Sequence, residues 1–257
     1  MAEGPSDACY YQAWLEDLCL RVTVISVDEI ECQRPPTVAD FGNREKVIAL
    51  ALKHPRIEEV RFLADRDTGC DQPATAESLL YTDFPAIESY CLSESVVRKV
   101  MRHVGRLPTA SIDPAEREVA AQRAIAALVV TLGRCLPVLF RFRIEHRQRR
   151  VSVEFPRDLK KFIRLDPGGA CIDEPKLCAH LAVSAIGETP LVTTMDTLRP
   201  VAYGHDIARL IFALWPDLRT KSGLAGAENL ERLLLSFVMA DDLRHFPLFG
   251  TLASWAA

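Results

Sequence analysis

Val60-Arg61-Phe62-Leu63-Ala64-Asp65-Arg66-Asp67 is the stretch from which the rest of the chain is read. Its apolar part is long enough for a short buried strand, and two aspartates close it. Side chains alternate along a strand, so Asp65 and Asp67 share one side if the extended conformation persists. Open α/β sheets bind ligands beyond the carboxyl ends of their strands, which is where this pair would stand. Towards the N-terminus, Glu3-Gly4-Pro5-Ser6-Asp7 offers a second acidic cluster just ahead of a helix. Carboxylates from both clusters, brought to one sheet edge, would supply the hard oxygen donors that Mg²⁺ or Mn²⁺ takes. Each cluster also has a plain structural reading: Asp7 or Ser6 as a helix cap, and 65–69 as a turn.

Around these clusters helices alternate with strands. Residues 7–20 read as an amphipathic helix through Tyr11, Trp14, Leu15 and Leu18, and Arg21–Val27 as a strand rich in β-branched residues. A glycine turn at Gly42 leads into a helix over Asn43–His54, stopped by Pro55. Val60–Ala64 and Leu79–Thr82 are further strands, and Leu92–Val104 a helix. This order predicts parallel pairing with right-handed crossovers. The proline-flanked segment Pro108–Pro114 marks a boundary between domains 1–110 and 111–257. Beyond it, Ala115–Leu132 reads as a long helix. Val138–Phe155 alternates (Phe140, Phe142, Ile144; then Val151, Val153, Phe155) and predicts an antiparallel hairpin turning at Gln148. Helices are expected over Glu174–Ile186, His205–Leu214, Ala227–Ala240 and Phe246–Trp255.

The chain has 257 residues, a formal net charge of −4 and 49% hydrophobic residues, as in ordinary globular proteins. With that balance a nucleic-acid surface has to be local. No apolar run approaches the ~20 residues of a membrane span, and no signal peptide opens the chain. The eight cysteines form no Cys-x-x-Cys pair, which points to reduced core thiols in a cytoplasm rather than a zinc knuckle. There is no nucleophile elbow and no phosphate-cradling Gly-Lys loop of the kind that nucleoside-triphosphate hydrolysis uses.

Glu-Gly-x-x-Asp, a helix, a strand, a glycine turn, a helix and a strand ending in Asp-x-Asp resembles the TOPRIM domain, the metal-dependent core of topoisomerases, bacterial primases and OLD-family nucleases. Residues 3–67 carry the pattern, with Gly42 at its middle element. Tyr81-Thr82-Asp83-Phe84-Pro85-Ala86-Ile87-Glu88-Ser89-Tyr90 is similar to the segment that follows Asp-x-Asp in stand-alone bacterial TOPRIM proteins, among them the nuclease of PARIS-type anti-phage systems. Tyr203-Gly204-His205-Asp206 falls where that family carries Gly-Lys. A TOPRIM first strand precedes the glutamate, and only Met1 and Ala2 do so here, so the natural chain is expected to start upstream.

The resemblance implies an α/β fold with a TOPRIM, Rossmann-like parallel sheet flanked by helices, followed by a mostly helical region with a hairpin near 138–155. It implies a metal-dependent nuclease acting on RNA or DNA in phage defence, with an ATPase partner, and it leaves a homo-oligomer open. Glu3 would bind metal and act as general acid or base; Asp65 and Asp67 would be ligands. Asp7, Asp83 and Glu88 would serve a second ion, with helix capping the alternative for Asp7 and a helix-start charge the alternative for Glu88. Arg141, Arg143, Arg147, Arg149 and Arg150 form the densest basic patch, read either as phosphate contacts or as a charged edge that resists aggregation. His205 with Asp206 reads as a hydrogen-bonded pair or a cap. The rival to the nuclease is a non-catalytic regulatory or nucleic-acid-binding module on a degenerate TOPRIM scaffold. Nucleotidyl transfer and topoisomerase activity lack visible supporting motifs.

Overall fold

The computed structural model describes residues 1–30, 42–67, 74–105, 107, 113–149, 153–183, 189, 191–215, 218 and 222–257. In chain order they form α1 (Pro5–Asp17), α2 (Asn43–Lys53), β1 (Phe62–Ala64), β2 (Leu79–Tyr81), α3 (Glu94–His103), α4 (Pro114–Gln148), β3 (Ile163–Asp166), β4 (Gly169–Ile172), α5 (Glu174–Leu181), α6 (Met195–Leu198), α7 (Gly204–Leu214), α8 (Ala227–Ser236), α9 (Ala240–Leu243) and α10 (Pro247–Ala256). The chain is mixed α/β and mainly helical. It divides into two compact units, Met1–Ile87 with Val238–Ala257, and Glu88–Phe237.

In the first unit β1 and β2 pair in parallel, with Phe62 opposite Leu79 and Ala64 opposite Tyr81. Met1 lies along the other side of β1. Its nitrogen donates to the Arg61 carbonyl at 2.7 Å, and its carbonyl accepts from Leu63 N–H at 2.7 Å. Ala2 in turn forms a parallel bridge with Ser26. The extended segments therefore run in the order 25–27, 1–2, 62–64, 79–81, and Glu3 leaves this array at the end where Asp65 leaves β1. Val47 and Ala51 of α2 close one side, packing with Val27, Phe62, Ala64 and Leu79 into an apolar core.

The expected strand Arg21–Val27 is reduced to the bridge at Ser26. A side chain stands in for a strand neighbour: Gln12 of α1 accepts from Val24 N–H at 2.7 Å and donates to the Val22 carbonyl at 3.2 Å. Those backbone groups are thus satisfied without a ladder.

The bounds of these units do not coincide with the expected division at 110/111. α3 packs on α4 and α8 and belongs to the second unit, while the C-terminal helices join the first. Aromatic contacts explain the second assignment. Trp14 meets Phe249 edge-on at 6.1 Å, Phe84 meets Phe246 at 5.2 Å, and the Trp255 indole donates to the Glu58 carbonyl at 2.6 Å.

The second unit is built on α4, a helix of 35 residues capped by Asp113, whose carboxylate accepts from Ala115 and Glu116 N–H. The expected hairpin over 138–155 is overturned: the backbone stays helical to Gln148, and 150–152 lie outside the described residues. Leu132, Leu136, Leu139 and Phe142 recur at helical spacing and are buried to within 1%. That periodicity competes with the alternation of Phe140, Phe142 and Ile144 and prevails because α4 is covered by packed elements. The hairpin of this unit lies later, at β3–β4, with Ile163 opposite Ile172 and its turn tied by Asp166, which accepts from Gly168 N–H. By length and composition α4 could cross a membrane, yet most of its apolar stretch is buried inside the unit. Split between a helix and a hairpin, the same residues display no such run.

Pro137 sits within α4 without breaking it. A proline removes the N–H that would reach four residues back, here to the carbonyl of Gly133. That carbonyl instead accepts from Val192 N–H at 3.5 Å. The approach requires glycine: a Cβ at 133 would stand 1.7 Å from the Val192 carbonyl oxygen. Gly133→Ala is therefore expected to destabilise the protein by about 1–3 kcal/mol through overpacking. Urea unfolding of the two proteins measures it, and an unchanged midpoint would contradict the close approach.

Candidate metal centre

Glu3 follows the bridging residue Ala2 and precedes the N-cap of α1, so its side chain leaves the end of an extended segment. Asp65 follows β1 in the neighbouring segment. The Asp65 N–H donates to Glu3 Oε1 at 2.7 Å, joining the two acidic clusters directly. Asp7, in the first turn of α1, and Asp67 both lie close enough to act electrostatically on Glu3. The turn carrying Asp67 is pinned to the segment after β2. Asp67 N–H donates to the Pro85 carbonyl at 2.9 Å, and Arg66 N–H to the Thr82 hydroxyl at 2.9 Å. Asp67 adopts φ +60°, a left-handed conformation that aspartate tolerates better than most residues.

Burial pushes the Glu3 carboxyl up to about 7, and the charges of Asp7 and Asp67 add to it. The Asp65 N–H and the Arg44 guanidinium oppose the rise. Arg44, in the first turn of α2, donates from Nε to the Asp65 carbonyl at 2.9 Å. Sequence reading passed over Arg44. Its signal is its place just after the Gly42 turn, since such turns face the ligand edge of a parallel sheet.

A carboxyl raised in the folded state favours folding at pH values below its usual value near 4.5, and that contribution disappears as pH rises through about 7. Ionised Glu3 thus destabilises the metal-free protein. Glu3→Gln keeps an acceptor for the Asp65 N–H and should be more stable than the parent at pH 8, by about 1–3 kcal/mol, with little difference at pH 4.5. Urea unfolding in chelator at both pH values measures this, and a less stable variant at pH 8 would refute the crowding.

The donor set suits Mg²⁺ or Mn²⁺: Glu3, Asp7, Asp65 and Asp67 offer carboxylate oxygen only. A divalent cation would also remove the repulsion that raises Glu3. These carboxylates are not closed around one point, however. Among the described residues a single set of three metal-type groups has all its ligand atoms within 4.8 Å of one another, and it is Glu88, His205 and Glu231.

Two other expected ligands have protein partners of their own. Asp83 accepts from Leu248 N–H at 3.3 and 3.4 Å and so caps the start of α10. Glu88 belongs to the second unit, where its carboxylate lies 3.5 Å from His205 Nδ1. His205 does not pair with Asp206. Its Nδ1 meets Glu231 at 2.8 Å, and this hydrogen bond is the main cause of a raised imidazole pKa. Burial pushes the neighbouring Cys91 thiol well above its ordinary value, with Glu88 and Glu231 adding to the rise, so it stays a thiol. All six described cysteines are free.

The arginines stand on a helix rather than on the expected hairpin. Arg141, Arg143, Arg147 and Arg149 lie in or just after the last turns of α4, and Arg150 falls outside the described residues. At ~100° per residue they point around the helix rather than along one sheet face. Arg143 turns inward. Its Nη2 donates to Asp206 Oδ1 at 2.6 Å, and Nε also binds that carboxylate. The guanidinium stacks over Phe155 at 3.9 Å and Tyr203 at 4.2 Å. Arg149 pairs with Glu145 one turn back. Elsewhere in this unit Arg157, Lys160 and Arg209 line a cavity of about 530 Å³ with Leu159 and Phe212.

No model of a known protein family matches this chain, and no curated protein matches it.

Proposed function

We propose that this chain is a divalent-metal-dependent phosphodiesterase of TOPRIM type that cuts RNA or DNA. The observation that supports it best is the hydrogen bond from the Asp65 N–H to the Glu3 carboxylate, which unites acidic residues 62 positions apart at the end of parallel extended segments. Glu3, Asp65 and Asp67, with Asp7, would hold Mg²⁺ or Mn²⁺. The ion, when bound, supplies charge neutralisation and a more acidic water. Glu3 handles the proton, since it is the carboxyl around which the others gather. Arg44 places a fixed positive charge beside the acidic residues, where it would orient an approaching phosphate. The hydrogen bonds from Arg66 and Asp67 to the 82–85 segment hold the turn in position without help from substrate. Arg147 and Arg149, exposed at the end of α4, supply sequence-independent attraction for a nucleic-acid backbone. A role in phage defence with an ATPase partner is part of the same proposal and is supported by the sequence resemblance alone.

A second reading, a non-catalytic module on the same scaffold, is favoured by the Arg44 side chain, which already sets a cation among the carboxylates. Incubation of the intact chain with labelled single-stranded RNA and DNA in Mg²⁺, Mn²⁺ or chelator separates the two. The nuclease cuts at least one substrate only with metal and melts at a higher temperature in Mn²⁺. Intact substrates together with an unchanged melting temperature would assign the regulatory module instead.

A further inference from the structure

We propose that Glu88, His205 and Glu231 form a separate binding site for a divalent transition-metal ion of the Mn²⁺, Fe²⁺ or Zn²⁺ class. The three donors lie in the second unit: Glu88 at its start, His205 in the first turn of α7 and Glu231 in the first half of α8. α7 and α8 pack closely along each other, so His205 and Glu231 are held by rigid helices rather than by a loop.

One atom of the imidazole serves both carboxylates. His205 Nδ1 is 2.8 Å from Glu231 Oε2 and 3.5 Å from Glu88 Oε1, and all three ligand atoms lie within 4.8 Å of one another. Bonds of ~2.0–2.2 Å from nitrogen and carboxylate oxygen to a common ion place neighbouring donors ~3 Å apart, so small side-chain shifts suffice. Glu88 is 8% exposed, and two carboxylates meeting in a partly buried place repel unless positive charge stands with them, which the His205 imidazole can carry in the ion-free protein and the metal once bound. The imidazole selects the ion. Nitrogen with two carboxylates suits Mn²⁺, Fe²⁺ or Zn²⁺, whereas Mg²⁺ is held by oxygen alone. His205 is half exposed, which leaves water room to complete the coordination shell. Arg209, one turn along α7, does not fill the place: its guanidinium is drawn to Asp206 at 3.8 Å.

This site is distinguishable from the acidic centre because only one of the two contains nitrogen. The intact chain, stripped with chelator and loaded with one equivalent of Mn²⁺, is examined by electron spin echo envelope modulation for ¹⁴N coupling to the ion. The proposal expects a ¹⁴N-coupled ion in the parent and in Asp65→Ala. It expects that signal to disappear in His205→Gln, and Mn²⁺ affinity to fall at least ~10-fold in Glu231→Gln. Circular dichroism checks each variant, and if His205→Gln does not fold, Glu231→Gln decides. Bound Mn²⁺ without nitrogen coupling in the parent, coupling that persists in His205→Gln, or unchanged affinity in folded Glu231→Gln each overturns it.

Discussion

Asp65→Ala is expected to leave a folded chain that has lost metal-dependent phosphodiester cleavage, by about 10³-fold or more relative to the parent. Fold retention follows from how the residue is used. The backbone N–H of Asp65 binds Glu3 and its carbonyl accepts from Arg44, and both groups survive the substitution. What the substitution removes is the carboxylate of the residue whose backbone N–H joins the two acidic clusters. Initial rates on labelled RNA and DNA at matched Mg²⁺, with circular dichroism as the control, measure the effect. Equal rates in mutant and parent would remove Asp65 from the metal set and leave the chemistry without its proposed centre.

Arg143→Ala is expected to destabilise the protein by about 3–5 kcal/mol, enough to unfold a marginal domain. Asp206 is fully buried, and Arg143 is its bidentate partner, sandwiched by Phe155 and Tyr203. Removing the guanidinium leaves the buried carboxylate with only the longer 3.8 Å pairing to Arg209 in a low-dielectric place, which costs more than the pair itself contributes. The double change Arg143→Met with Asp206→Leu should recover most of the loss, because no buried charge remains. Urea unfolding of the single and double variants tests this. A single variant within 0.5 kcal/mol of the parent, as ordinary surface substitutions are, would return Arg143 to the nucleic-acid surface.

The two arginine readings diverge for a physical reason. The density of Arg141–Arg150 suggested one basic face, which requires the alternation of a strand. In α4 the same spacing distributes the side chains around an axis, and Arg143 is claimed by an aspartate 63 positions further on. Asp83 and Glu88 tell a similar story. Both sit near the strand ends in sequence, but one caps a helix from the far end of the chain and the other meets His205 and Glu231. Such partners are distant in sequence and leave no local trace. Of the two readings of His205 with Asp206, the hydrogen-bonded pair is absent, because neighbours on a helix do not face each other.

The sequence by itself determined the local grammar of this protein. Helices expected to begin at Asp7, Asn43, Ala115 and His205 begin at Pro5, Asn43, Pro114 and Gly204, and the strand expected over Val60–Ala64 spans Phe62–Ala64, so these elements could be read from periodicity, caps and proline placement to within two residues. These depend on neighbours within a few residues, which the sequence lists directly. Only the tertiary structure decided that the Asp65 N–H reaches Glu3, that Gln12 replaces a strand neighbour, that Gly133 admits Val192, and that the C-terminal helices complete the first unit. Each is a contact between residues ten or more positions apart, set by which apolar faces bury one another and which buried polar groups remain to be satisfied.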